Sequence, residues 1–274
     1  MRRANLSVCS QNDYTLAAQK VKLKSKAANG LELTTEGTLK GSKGVVGKIS
    51  AKFTPFAGIS IKKLQVDTQG RFTTEAVLEN AVEGVSFTVK AEEGAGAPPA
   101  GELIVDYKNK SASVQASVDV TDPSGPTVYG SGTFAYESFL VGAEAKYCTG
   151  LDGGSASLAD YNVAVGFLAG DLTATVATKK KASQATLAVH QKYSKDIELV
   201  TEYAHASKLL TVGAIWKMDA NLKLQGKVDS KGIVSANALQ TIASGIQLIS
   251  SVEVDAKNLS GADAGKFGLT LVLG

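Results

Sequence analysis

Apolar and polar residues alternate along most of this chain. Near its end, Phe267, Leu269, Leu271 and Leu273 occupy every second position, and the residues between them are mostly small or polar. Because successive side chains of a β-strand point to opposite faces, this spacing predicts a strand with one apolar face. The pattern recurs in segments of about ten residues from position 20 onward, which is typical of a transmembrane β-barrel.

Clusters of Gly, Asn, Asp and Ser separate these segments and predict turns, with Asn29-Gly30 as a strong hairpin signal. A longer loop is predicted over 94–99, where Pro98 and Pro99 lack backbone donors. The segments predict about 19 strands. They cover 20–27, 31–38, 45–53, 59–66, 71–79, 85–92, 101–108, 111–120, 127–136, 139–147, 158–168, 171–177, 182–193, 196–205, 208–218, 221–228, 233–241, 246–254 and 266–273.

The face opposite the apolar one is polar and charged, so it must contact water. A strand count well above eight leaves room for a water-filled lumen. We therefore predict that the lysines of this face line a pore and favour anions: Lys20, Lys22, Lys24, Lys26, Lys48, Lys52, Lys90, Lys108, Lys217, Lys223, Lys227 and Lys266. Carboxylates share the face, so the predicted anion preference is mild: Glu32, Glu36, Glu75, Glu102, Asp106, Asp119, Glu198, Glu202 and Glu253.

The pattern predicts a single barrel. No shift in composition divides it after residue 20, so we predict a barrel over 20–274, preceded by a short N-terminal segment over 1–19. The formal net charge of +3 is too small to suggest a nucleic-acid partner. No run approaches the ~20 apolar residues of a membrane helix. The residues after Arg2-Arg3 are too polar for a signal peptide, which favours insertion from the cytosol.

No residue pattern predicts catalysis or metal binding. Cys9 and Cys148 are far apart and match no metal-ligand spacing, and His190 and His205 are isolated. We therefore expect no enzyme activity, no cofactor, no metal site and two free thiols.

Three parts of the chain resemble the mitochondrial porins, the voltage-dependent anion channels. Residues 22–37 are similar to the first hairpin of that family, and 216–219 followed by 226–230 resemble its signature near the C-terminus. Trp216 stands where Tyr or His is usual, and Leu222 where a small residue is usual. The terminal strand is similar to the family's membrane-insertion signal, carried here by Lys266, Gly268, Leu271 and Leu273.

The resemblance implies an all-β transmembrane barrel of about 19 strands, antiparallel except where the first and last strands pair in parallel. It also implies the mitochondrial outer membrane, contact with the lipid bilayer, and passive transit of small anions and nucleotides. A homo-oligomer is compatible with it. Two alternatives stay open: the barrel subunit of the outer-membrane protein translocase, which usually has a longer N-terminal extension, and a soluble β-rich binding protein, which would normally need fewer strands per domain.

Two regions depart from the family. Residues 1–19 lack its amphipathic helix and glycine hinge, and 14–20 predicts one or two helical turns in or near the pore. Lys63 shares the apolar parity of Ile59 and Ile61, where many family members have Glu, so we expect a charge on the lipid face. Such a charge costs ~2–4 kcal/mol at the membrane midplane. It predicts a lysine that reaches the headgroups, a bulge that shifts the register, or a site of lipid or subunit contact.

Overall fold

Nineteen β-strands form one sheet in the computed structural model, which describes residues 14, 16–39, 44–94, 96–121, 125–151, 155–261 and 264–274. Short turns join them, and left-handed glycines such as Gly58, Gly84 and Gly245 make many of these turns possible. The strands are β1 (Gln19–Lys26), β2 (Glu32–Leu39), β3 (Val45–Phe56), β4 (Ile59–Asp67), β5 (Arg71–Val82), β6 (Val85–Gly94), β7 (Ala97–Lys108), β8 (Ala112–Asp119), β9 (Thr127–Tyr136), β10 (Phe139–Cys148), β11 (Ser157–Ala169), β12 (Leu172–Lys179), β13 (Gln184–Lys192), β14 (Ile197–Ala204), β15 (Leu209–Lys217), β16 (Leu222–Asp229), β17 (Ile233–Ala243), β18 (Ile246–Asp255) and β19 (Gly265–Leu273).

The sheet closes into a barrel. Consecutive strands are antiparallel, and β1 pairs in parallel with β19, with Gln19 opposite Leu269 and Leu23 opposite Leu273. In a meander with an odd number of strands, the first and last strands run in the same direction, so their pairing must be parallel. The predicted strand number and the predicted closure are confirmed.

The loop predicted over 94–99 is shorter in the structure. The sixth strand continues to Gly94 and the seventh begins at Ala97, so Pro98 and Pro99 lie inside β7. A register shift between Glu92 and Gly94 leaves both prolines without a partner in the ladder of β6 and β7. Prolines are tolerated there because their missing N–H groups interrupt no ladder hydrogen bond.

The two faces of the barrel differ in chemistry. Residues directly opposite one another in neighbouring strands share a face, so the register carries each face around the barrel. On the outer face, large apolar side chains are exposed, including Val21, Leu23, Ile49, Val66, Phe87, Leu103, Phe134, Val163, Leu187, Leu210, Val234 and Phe267. On the inner face, the side chains are polar or charged over most of the strands. The outer face is therefore suited to lipid and the inner face to water.

The strands are long enough for a membrane. They contain 8 to 13 residues, and ten residues tilted at ~45° rise roughly 23 Å, which is close to the height of a barrel's apolar band. In the described part of the chain, no helix has the length and apolar character needed to cross a membrane.

Lys63 does not lie on the lipid face. The register of β4 shifts between Ile61 and Lys63, and Lys63 then stands opposite Glu75. Glu75 also lies opposite Lys90, which faces the lumen. One extra residue in a strand moves every later side chain to the other face, so the bulge is the reason that the expected lipid-facing charge is not found.

The chain before β1 approaches the inner wall. The ring of Tyr14 is buried, and the Nζ atom of Lys227 lies 4.7 Å from its centroid. Lys227 belongs to the inner face of β16, so Tyr14 lies in the lumen. The described residues 16–18 are not helical, so the helical turn predicted from residue 14 does not extend over them. Of the N-terminal segment predicted over 1–19, residues 1–13 and 15 lie outside the described residues.

Candidate functional site: the lumen wall

The hairpin register places the predicted pore lysines on the inner face. In the first three strands, Lys22 stands opposite Glu36, and Glu36 stands opposite Lys48. Because directly opposite residues share a face, the register of the other strands places every predicted pore lysine on the inner face: Lys20, Lys22, Lys24, Lys26, Lys48, Lys52, Lys90, Lys108, Lys217, Lys223, Lys227 and Lys266.

Carboxylates partly neutralise the strip of lysines on β1. The Nζ atom of Lys20 lies 3.1 Å from Glu36, and that of Lys22 lies 3.9 Å from the same residue. Lys26 lies 3.3 Å from Glu32. Lys24 forms no ion pair with any described residue. The alternating sequence of β1 shows four cations on one face, but the ion pairs depend on the register with β2.

Further lumen lysines form pairs across other strand boundaries. These pairs are Lys52–Glu32 at 3.2 Å, Lys90–Glu102 at 3.1 Å, Lys217–Glu198 at 3.4 Å and Lys266–Glu253 at 3.1 Å. In the described part of the chain, Lys48, Lys108 and Lys223 form no ion pair, as is also true of Lys24. No carboxylate of the described residues balances the charge of these lysines by an ion pair.

The charge is unevenly distributed around the lumen. We call the inner face of β16–β19 and β1–β3 the basic wall, because its lysines outnumber its carboxylates: Lys20, Lys22, Lys24, Lys26, Lys48, Lys52, Lys223, Lys227 and Lys266 against Glu32, Glu36, Asp229, Glu253 and Asp255. We call the inner face of β7–β11 the acidic wall, because it carries Glu102, Asp106, Asp119, Glu144 and Asp160 against Lys108 and Lys146.

Neutral donors hold several carboxylates of the acidic wall. Asp106 accepts a hydrogen bond from Gln115 at 3.1 Å. Glu144 accepts one from the hydroxyl of Tyr129 at 2.7 Å and one from the amide of Asn162 at 3.0 Å. Among the described residues, neither carboxylate forms an ion pair. Hydrogen bonds of this kind fix the position of a carboxylate and leave its charge uncompensated.

A recess of about 620 Å³ opens in the inner face of β4–β10 and overlaps the acidic wall. Lys63, Glu75 and Lys90 line one side of it, and Asp119 and Tyr129 line the other. Lys63 thus contributes to the water-filled interior. The mixed signs of charge in the recess suit transient contact with small polar solutes more than retention of one ligand.

The sequence pattern did not predict a buried polar cluster on the inner face. The Oε2 atom of Glu198 lies 3.2 Å from Nε2 of His190, and its Oε1 lies 3.4 Å from Nζ of Lys217. The two apolar side chains beside this cluster, Val200 and Ile215, are fully buried although they face inward. The β13–β14 hairpin places His190 opposite Val200 and Glu198 opposite Lys192, so His190 and Glu198 are diagonal neighbours on one face, and their spacing about that turn was the available signal.

The described residues hold no cluster of His, Cys, Asp or Glu side chains that could bind a metal ion. The arrangement instead provides a wide path of exposed charges. Such a path lowers the cost of moving ions through an apolar slab, because water and wall charges replace the hydration that lipid would remove.

A sequence profile described as Eukaryotic porin matches residues 3–268. The chain belongs to the eukaryotic porin family. Two relatives carry the name non-selective voltage-gated ion channel. VDAC2 of Xenopus laevis is 26% identical over 95% of this chain and 92% of its own length. VDAC3 of Oryctolagus cuniculus is 27% identical over 93% of this chain and 90% of its own length. Among solved structures, Pseudomonas aeruginosa OccK10 (OpdN) is similar with a TM-score of 0.43 and 9% identity, over 92% of this chain and 89% of that chain.

The last strand of this eukaryotic porin has the geometry expected of the insertion signal. Leu271 stands opposite Leu248 and Val21, and Leu273 stands opposite Ile246 and Leu23, all on the outer face. The other signal residues, Lys266 and Gly268, lie on the inner face, opposite Glu253 and Ser251. The role of these residues in insertion stays a prediction.

Proposed function

We propose that this porin is a voltage-gated diffusion channel of the mitochondrial outer membrane, with a mild preference for anions. It passes small hydrophilic solutes and metabolite anions such as nucleotides down their gradients. The observation that carries the proposal is the closed barrel of 19 strands, apolar outside and charged inside.

The mechanism follows from the two walls. Lysines such as Lys24 and Lys223, which pair with no described carboxylate, raise the local potential along the basic wall, which increases the occupancy of anions. The acidic wall offers cations a second path. Because lysines and carboxylates almost balance over the whole lumen, discrimination between anions and cations is weak. Each contact must also be weak, since a tight site would trap the solute.

The family and its relatives support this proposal. The relatives are named as non-selective voltage-gated ion channels, which agrees with a lumen that carries both signs of charge. The two alternatives gain no support. The matching profile is that of porins and covers nearly the whole chain, and the continuous apolar outer face suits lipid better than water.

Planar-bilayer recording tests the proposal directly. Purified protein added to a bilayer under a KCl gradient should give discrete current steps. The reversal potential should show a slight preference for chloride over potassium. The conductance should fall at high voltage of either sign. Stable insertion without current, or a strongly cation-selective current, would reject the proposal.

A further inference from the structure

Two neighbouring turns of the barrel hold lysines in the left-handed conformation, which glycine occupies in many of the other turns. Left-handed turn positions are held by glycines at Gly58, Gly70, Gly84, Gly232 and Gly245, among others. In the turn between β12 and β13, Lys180 and Lys181 adopt φ values of 52° and 57°. In the turn between β14 and β15, Lys208 adopts a φ value of 50°. A lysine in this conformation is less favourable than glycine, and Asn80, Glu137 and Ala182 are also left-handed, so the conformation itself does not require an ammonium group.

These lysines lie at the same end of the barrel. Alternate turns of a meander share one end, so the turns β12–β13, β14–β15 and β16–β17 are neighbours on it, and the third turn contributes Lys231. We call Lys180, Lys181, Lys208 and Lys231 the lysine rim. All of them are exposed, and none forms an ion pair with a described residue.

The nearby carboxylates are directed to backbone groups. An oxygen of Asp160 accepts the backbone N–H of Lys181 at 2.7 Å, and an oxygen of Asp229 accepts that of Lys231 at 2.9 Å. These bonds fix the turns, and none of them uses an ammonium group of the lysine rim. The rim therefore presents concentrated positive charge to its surroundings.

The rest of this end of the barrel has a different charge. The described residues of the turns between β4 and β11 at this end include no lysine, and Arg71 there is paired with Glu92. Glu93 and Asp119 add negative charge on that side. Among the described turns at this end, the lysines therefore lie above β12–β19, where the turn between β18 and β19 adds Lys257, whose Nζ donates to the carbonyl of Ser230 at 3.0 Å.

The lysine rim lies at the edge of the apolar outer face. In the strands next to these turns, the outward side chains are exposed and apolar or aromatic, including Leu187, Tyr203, Leu210 and Val228. A lysine at such an edge can lay its aliphatic stem along the apolar surface and extend its ammonium group to the headgroup layer. Phosphate is the anion available in that layer.

We propose that the lysine rim binds the phosphate groups of anionic phospholipids and holds a patch of such lipids against β12–β17. The proposal needs the membrane-embedded barrel and does not depend on which ions it conducts. Juxtamembrane lysines each contribute to attraction for anionic lipid, so loss of two of them should weaken the association about fivefold or more.

Spin-labelled lipids test the proposal in the intact protein. Wild-type porin in phosphatidylcholine bilayers should immobilise spin-labelled phosphatidylserine in preference to spin-labelled phosphatidylcholine. The variant K180G/K181G should lose most of this preference, because glycine suits the left-handed turn and removes both charges. The variant K180R/K181R should keep it. The matched control K110G/K195G removes two exposed lysines from turns at the opposite end and should leave the preference almost unchanged.

Three results would overturn the proposal. The first is a wild-type protein without preference for the anionic lipid, and the second is an unchanged preference in K180G/K181G. The third is an equal loss in K110G/K195G, which would indicate a general effect of charge. A separate arm adds inorganic phosphate. If it displaces the labelled lipid at an ionic strength where NaCl does not, the lysine rim is a site for free phosphate and the lipid assignment fails.

Discussion

At the scale of single residues, the face of the barrel on which Lys63 lies depends on one inserted residue in β4. The parity of Ile59 and Ile61 places it outside, whereas the bulge places it opposite Glu75 on the inner face. We predict that Lys63→Cys, in a protein whose Cys9 and Cys148 are replaced by Ser, reacts rapidly with a water-soluble methanethiosulfonate. The adjacent control Val66→Cys, on the outer face, should react slowly in bilayers. Slow reaction at position 63 together with quenching by lipid-borne groups would contradict the inner assignment.

Glu198 gives a second prediction at this scale. It contacts both His190 and Lys217 and is almost fully buried. Removing it leaves two donors without their acceptor, so Glu198→Ala should lower the free energy of unfolding by about 1–3 kcal/mol. The matched control is Glu202→Ala, on the same face of the same strand and without an ion pair to any described residue. Denaturant unfolding in detergent micelles measures both, and equal losses would show that the cluster adds no stability.

At the scale of elements, successive residues of the last strand, β19, face alternately the lipid and the lumen. Leu271 faces outward, and Val272 faces inward opposite Lys22. A charge on the lipid face costs up to about 2–4 kcal/mol for a basic side chain and less for an acidic one, whereas a lumen charge is solvated. We predict that Leu271→Asp reduces assembly into mitochondria or liposomes and that Val272→Asp does not. Normal assembly of the Leu271 variant would refute both the face and the insertion signal.

The segment before β1 gives the second prediction about an element. The carbonyl of Ala18 accepts a hydrogen bond from the N–H of Leu269 at 3.0 Å, so the closing ladder begins at residue 18. Deleting 1–16 should therefore leave insertion and pore formation intact. It also removes Tyr14 from the lumen wall beside Lys227, so the voltage dependence of closure should change. A truncated protein that fails to insert would show that the segment belongs to the barrel's structure.

The sequence predicts this fold well because alternation is strict and the turns are marked. A period of two along 266–273 assigns each side chain to a face, and Asn29-Gly30 marks a hairpin. Alternation cannot locate an inserted residue, so the bulge before Lys63 stood as one of three interpretations of its parity, and the register around Pro98 was missed. The ion pairs of Glu36 and the cluster around Glu198 were missed because they depend on which residues meet across strands.

At the scale of the whole molecule, the account rests on the two charged walls of one water-filled lumen. Lys24, Lys48 and Lys223 on the basic wall form no ion pair in the described part of the chain, and the same is true of Asp106, Asp119 and Glu144 on the acidic wall. These two sets allow matched variants, because each can lose three charges with little change in side-chain size. Both sets act on the same solutes, so their effects should have opposite signs.

The most direct test compares the reversal potentials of these variants under a KCl gradient. K24Q/K48Q/K223Q should shift the potential toward cation preference, and D106N/D119N/E144Q should shift it toward anion preference. Both shifts should grow at low ionic strength, because the screening length rises from ~8 Å at physiological salt to ~30 Å at 0.01 M. Shifts in the same direction, or potentials that do not move at low salt, would mean that these side chains do not line the conducting path, and the account would be contradicted.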